Sequence, residues 1–579
     1  GLNESQEVEI QLKDKYCRQF KDGFLISFDS QIATEMADFS NLTPDRVLGQ
    51  HVAHLVRRIN LLQGRLEGET LETLQGMPQP SYEPIVLMAD QKVIPEIRKK
   101  FGNLYLRYLV WRLDPTSLNQ EMNDLQAWLK HILTLRGIDL NWIVTWANDD
   151  ESLSYVTLDD FWGGSLEASD DIVVPPVFTL DGKGLVHAFL KEIESALPDP
   201  LMIASQKLEF LGWYDKGYLR AWYDFATSFP QGVDTLKGKE EYQRVAARIA
   251  AGQGPYSSLL DTMTVALQPL AGGEDAPPWV TLVHELKDTK VQAAKEGPPE
   301  DKGALEKAAK KGKKLIAKLE KKVDKLEKKV GKLKPRRSLE SQMIAAKAFH
   351  EYQMALSEIA PASASSNVAF QMATQAFIED GTTSESPFFV AQRAVDTLKA
   401  YMVTSESADE MFWGLVTGPL AYLWSFVRLE AACRLQDLWE REVLIEIQGI
   451  YDEQTLSRVL WGEAGHATRF IEGTAAPFVS RSLKKGYHAK RVLGGRMPFE
   501  DAFLSFYTTG ERAAKPMEAE YSVSISGLPT DANQGARLRP HATHLEVQCE
   551  KETKTLVNLN YPVKQTFTWS PMTCGDVMF

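Results

Sequence analysis

Apolar residues recur at steps of three and four through most of the first 150 positions. Leu48, Val52, Leu55, Val56, Ile59, Leu62 and Leu66 form one stripe, the mark of a helix with a core-facing side. Residues 104–113 and 125–135 repeat the pattern and carry Trp111 and Trp128. Residues 138–146, IDLNWIVTW, are short, β-branched and aromatic, which predicts one strand. A stretch punctuated by glycine and proline follows, then an apolar helix over 185–197 and further helix over 205–270. Residues 338–515 read as helical again.

At Tyr521 the period changes from helical to alternating. YSVSISG, HLEVQCE, TLVNLN and QTFTWS alternate apolar and polar positions, with Gly-Leu-Pro and Asn-Tyr-Pro turns between them. Four or five short antiparallel strands in sixty residues predict a small sandwich or half-sandwich. Phe567 and Trp569 fall on one face of their strand and are expected in its core, while Tyr561 sits in a turn and is expected at the surface. The fold class is therefore α+β, mainly α: a multi-helical stalk followed by a C-terminal antiparallel β-sandwich module. The expected domains are 1–150 (helical), 151–295 (mixed, loop-rich), 296–337 (Lys-rich), 338–515 (helical) and 516–579 (β module).

Two segments change this picture. Residues 296–337 place Ile316, Leu319, Val323, Leu326, Val330 and Leu333 on a heptad seam flanked by lysines. That is either a basic arm for an acidic surface or lipid head groups, or a solvated helix lying on an acidic body; the second reading is favoured. Residues 411–427, MFWGLVTGPLAYLWSFV, carry no charge, but Gly418-Pro419 interrupts them, so a buried helix pair is predicted rather than a membrane span.

At 579 residues, about three to four domains are expected. The 44% hydrophobic and 25% charged composition is that of folded protein, and the net charge of −13 argues against nucleic acid as a partner. The opening GLNES lacks the apolar run of a signal peptide, and a leading glycine without methionine suggests a fragment. Cys17, Cys433, Cys549 and Cys574 show no paired metal spacing.

The search for catalytic chemistry yields little. LDGKGLVH falls short of a phosphate loop, and neither a GxSxG elbow nor an HExxH pair occurs. His51 and His54, three apart on a helix beside Arg57 and Arg58, read as surface or partly buried residues, and His541 and His544 likewise lack further ligands. No metal or cofactor is expected. Asp149, Asp150, Asp159, Asp160, Asp170 and Asp171 offer paired carboxylates for a glycan hydrolase, although Asp159-Asp160 before Phe161-Trp162 suit a cap or turn better.

Five segments bear a family resemblance, in order along the chain. VTLDDFWGG with VVPPVFTLDGKG, YLRAWYDF, GPYSSLLDTMT, FWGLVTGPLAYLWSFVRLEAACRLQDLWEREVL and the closing HLEVQCEKETKTLVNLNYPVKQTFTWSPMTCGDVMF resemble the IcmF/TssM family of secretion-system inner-membrane proteins. The resemblance covers most of residues 156–579. The Lys-rich segment has no expected counterpart in it. The family's membrane helices and nucleotide-binding-like domain are absent from the sequence, and relatives usually continue the strand past Phe579, which is therefore expected to be a boundary of excision or order.

The resemblance implies a non-enzymatic structural component of a type VI secretion membrane complex. Its periplasmic stalk would link the inner membrane to an outer-membrane lipoprotein (TssJ-like) through the β module. It would also meet a small inner-membrane partner (TssL-like) near the membrane end and associate with itself. Tyr561, Trp569 and Phe567 are the candidate partner-binding residues. In an oxidising periplasm Cys549 and Cys574 can form a disulfide, closing a loop of about 25 residues and contributing roughly 3 kcal/mol. A periplasmic carboxylate hydrolase, a type IV (Dot/Icm-like) accessory protein and a polyanion binder using residues 310–337 are the alternatives.

Overall fold

The computed structural model describes residues 2–40, 42–80, 95–135, 139–271, 276–296, 339–402, 409–462, 464–482, 486–514, 521–528, 537, 542–548, 553–559 and 561–569. The Lys-rich segment, Cys549, Cys574 and His541 lie outside them. Most described residues are helical, with a few short antiparallel strand pairs, so the chain is α+β and mainly α. It divides into two compact units. One comprises residues 1–241, 254–346 and 400–418; the other comprises 242–253, 347–399 and 419–579.

The first unit is built around the helix Asp45–Glu67. The predicted stripe Leu48, Val52, Leu55, Val56, Ile59 and Leu62 is buried, but so are His51, Ala53, His54, Arg58 and Leu61. The stripe is wider than one face because several helices surround it, among them Pro115–Leu135, Trp142–Asn148 and Leu180–Ala196. Gly68 ends this helix in the left-handed conformation, φ 91°, its N–H reaching the carbonyls of Arg65 and Gly64.

The described part of the predicted strand, residues 139–146, is not a strand. Asp139 Oδ1 accepts from Asn141 N at 2.8 Å, and the helix Trp142–Asn148 follows, burying Trp142, Ile143 and Ala147. Tertiary packing overrides the β-branched preference there. Loop-rich residues 151–179 contain the short strand pair Val156–Thr157 with Val173–Val174, the one-turn helix Asp159–Trp162 and the 3-10 turn Pro176–Phe178.

The helix Glu410–Trp439 also departs from expectation, since it is one 30-residue helix with Pro419 inside rather than a pair. Proline removes one backbone bond at a cost of about 3 kcal/mol. Burial of Leu415, Val416, Leu420, Leu423, Trp424, Phe426 and Val427 outweighs it. Among the described residues no helix is long and apolar enough to cross a membrane.

In the second unit, residues 479–482 and 486–496 do not form the predicted helix. Val479–Ser482 pairs with Gly486–Ala489, and Arg491–Val492 pairs with Gly495–Arg496. Leu493 and Gly494 both take positive φ, 47° and 76°, the signature of a type I′ two-residue turn.

The last strands fall where the alternation places them. Tyr521–Gly527 pairs antiparallel with Val563–Trp569, and Thr543–Gln548 with Thr553–Asn558. They form two separate two-stranded sheets. Leu556 and Phe567, each 4% exposed, make a small core with Ile525, Val547 and Val563 beside them.

Candidate functional site

The sequence-predicted chemistry resolves mostly into structure. His51 and His54 are fully buried, not superficial. His51 Nδ1 lies 2.9 Å from the Val47 carbonyl, its Nε2 lies 3.4 Å from Glu35, and its ring meets Phe39 edge-on. His54 sits between Phe28 and Phe101. Among the described residues no group of three His, Cys, Asp or Glu is placed to hold a metal.

Of the acidic pairs, Asp150 and Asp160 serve local turns. Asp149 meets Arg46 at 3.0 Å, and Asp150 accepts from Ser152 N at 2.9 Å. Asp160 accepts from Thr157 N at 2.8 Å, while Asp159 lies in the first turn of the short helix Asp159–Trp162. Asp170 and Asp171 are exposed. None of the six is buried.

Of the partner-binding candidates, Phe567 is core and Tyr561 is 57% exposed. Trp569 pairs across the sheet with Tyr521, but its side chain lies outside the described set. Beside Tyr561, Leu528 and Leu559 are 70% and 52% exposed. The Asn558 side chain donates to the Leu528 carbonyl and ties the strand end before Leu559 to the one before Leu528. Leu528 and Leu559 thus follow linked strand ends, and Tyr561 lies two residues after Leu559. His544 is exposed on the strand opposite Val557. Cys17 is buried and Cys433 exposed, both as free thiols.

The family-like segments of the first unit meet in one core. Trp162 packs on Phe229 and Tyr256, with ring centroids 5.6 Å away in each case. Tyr214 Oη donates to the Val177 carbonyl at 2.6 Å, and Trp222 Nε1 donates to the Phe178 carbonyl at 2.9 Å. Thr179 caps the next helix by accepting from Gly182 N at 3.1 Å. A Cβ at Gly182 would lie 2.1 Å from the Pro176 carbonyl oxygen, so only glycine fits. The buried Lys183 reaches Asp215 at 2.7 Å.

A concavity elsewhere was not anticipated. A groove of about 1330 Å³ in the second unit is lined by both hairpins of residues 479–496, by Arg428 and by the helix Asp501–Ala514. Trp424 Nε1 donates to the Val492 carbonyl at 3.1 Å and fixes the second hairpin. Arg428 lies over the Trp424 ring, 5.7 Å from its centroid, and its Nη1 donates to the Arg496 carbonyl at 2.5 Å. Gly495 closes on it: a Cβ there would lie 2.6 Å from Arg428 Cζ. Arg428 Nε is buried without an acceptor, and burial lowers the guanidinium pKa. Among the described residues Arg428, Arg491 and Arg496 have no carboxylate partner. The sequence signal for this site was Arg491 and Arg496 flanking Leu493-Gly494-Gly495.

No family model, curated protein or solved structure matches the chain.

Proposed function

We propose that this chain is the periplasmic part of an IcmF/TssM-like component of a type VI secretion membrane complex. It acts as a non-enzymatic scaffold between the inner membrane and an outer-membrane lipoprotein. The supporting observation is the convergence of the resembling segments of the first unit. Phe161-Trp162, the Pro176–Gly182 turn, the Tyr218-Trp222-Phe225 helix face and Tyr256 occupy one core. The resemblance therefore falls on residues buried in one core, and a framework of that kind suits a scaffold's work.

The terminal strands are read as the small β-sandwich of the family, with Phe567 and Leu556 inside and Tyr561, Leu528 and Leu559 offered to the lipoprotein. Exposed apolar residues at the ends of paired strands suit a protein partner. Self-association and the small inner-membrane partner fall to the helical units.

The test is co-purification after cross-linking in the source cells. The full chain should retain an outer-membrane lipoprotein that a chain ending at Ala514 loses, with self-association kept by both. Equal lipoprotein recovery by both chains, or none by either, would reject the docking role.

A further inference from the structure

We propose that the groove beside Arg428 binds an acidic peptide segment, one carboxylate of which is held by the Arg428 guanidinium. This site is independent of the assembly reading, so either can fail alone.

A protein with net charge −13 has carboxylates in excess, yet Arg428, Arg491 and Arg496 lack one among the described residues. Of the groove lining only Asp501 is acidic, against three arginines. Arg428 is held rigidly between the Trp424 ring and Gly495, with Nη1 committed to the Arg496 carbonyl. Its Nη2 makes no bond among the described residues. A half-buried, pre-oriented guanidinium with Nη2 uncommitted can donate a charge-assisted hydrogen bond to a carboxylate.

The surroundings favour a peptide. The second turn directs carbonyls toward the arginines, Gly494 O to Arg491 Nε and Arg496 O to Arg428, so it does not form an amide nest for phosphate. Phe499, Leu504 and Met497 add apolar lining for the remainder of a side chain. At about 1330 Å³ the groove exceeds the usual small-molecule pocket of about 300–1,000 Å³.

Fluorescein-labelled hexaglutamate titrated against the full chain, read by anisotropy, tests the site. Saturable binding is expected that weakens with salt, falls at least tenfold in Arg428→Gln, and is partly restored in Arg428→Lys. Thermal melting of each variant reports folding. If Arg428→Gln does not fold, the exposed Arg491→Ala decides, with a smaller loss expected. Absence of saturable binding, binding unchanged in the folded variants, or displacement by inorganic phosphate at concentrations equal to the peptide would overturn the proposal.

Discussion

Gly232 lies against the indole of Trp162 so closely that a Cβ at position 232 would come within 2.1 Å of Nε1 and Cδ1. Trp162 is wholly buried and wedged by Phe229 and Tyr256, so it has nowhere to move. Gly232→Ala is therefore expected to destabilise the first unit by about 1–3 kcal/mol through overpacking. Gly184, exposed within the helix Leu180–Ala196 and with open space around its Cβ position, is the control. Gly184→Ala should stabilise by roughly 0.5–1 kcal/mol. Urea unfolding of both variants reads the contrast, and equal effects would refute the packing account.

Arg58 is the second structural centre of that unit. Wholly buried, it meets Asp29 through Nη1 at 2.5 Å and Nη2 at 3.1 Å, and Glu121 at 2.9 Å. Tyr105 and Tyr108 donate to the two oxygens of Glu121. Burial pulls the Arg58 pKa down, but Asp29, Tyr105 and Glu121 outweigh it and the net shift is upward. Arg58→Met leaves two carboxylates without their cation and should cost about 3–5 kcal/mol. Adding Asp29→Asn and Glu121→Gln should recover part of it. A loss below about 1 kcal/mol for the single change would show the network to be dispensable.

Alkaline stability follows from buried tyrosines. Burial pushes Tyr218 and Tyr256 up to about 12, and Tyr214 and Tyr507 higher still. In the unfolded chain a tyrosine ionises near about 10. Below that pH both states are neutral and stability is intact. Between about 10 and 12 only the unfolded state releases its proton, so stability falls as pH rises. Tyr256→Phe should flatten that fall, measured as urea midpoints from pH 9 to 12, relative to its own value at pH 9. An unchanged slope would count against the burial of this hydroxyl.

The terminal strands depend on few apolar contacts. Removing most of Phe567, half of their buried pair, should cost about 3 kcal/mol or more in Phe567→Ala. Hydrogen exchange should then accelerate across Tyr521–Gly527 and Val563–Trp569 while the helix Asp45–Glu67 keeps its protection. Uniform acceleration in both would mean that the strands do not open separately.

The periodic elements were legible because one apolar face leaves a period in the sequence. That holds for the helix around Leu55 and for the strand carrying Phe567. What escaped depends on neighbours. His51, His54 and Arg58 are polar residues along the border of the stripe yet are buried, because helices surround theirs. Pro419 suggested a break that local burial overrides. The hairpins of residues 479–496 are too short to show a period, and only the Leu493-Gly494 turn betrays them. The groove was illegible because Arg428 and Arg496, distant in sequence, meet only through the fold.

The most direct test of the central claim is titration of the full chain with the purified outer-membrane lipoprotein of its own cell, beside a Leu559→Asp/Tyr561→Asp variant. Both side chains are more than half exposed, so the variant should fold and melt as the parent does. The account predicts saturable binding by the parent and at least a tenfold loss in the variant, about 1.4 kcal/mol or more. Equal binding by both proteins, or no binding by the parent at micromolar concentration, would contradict it.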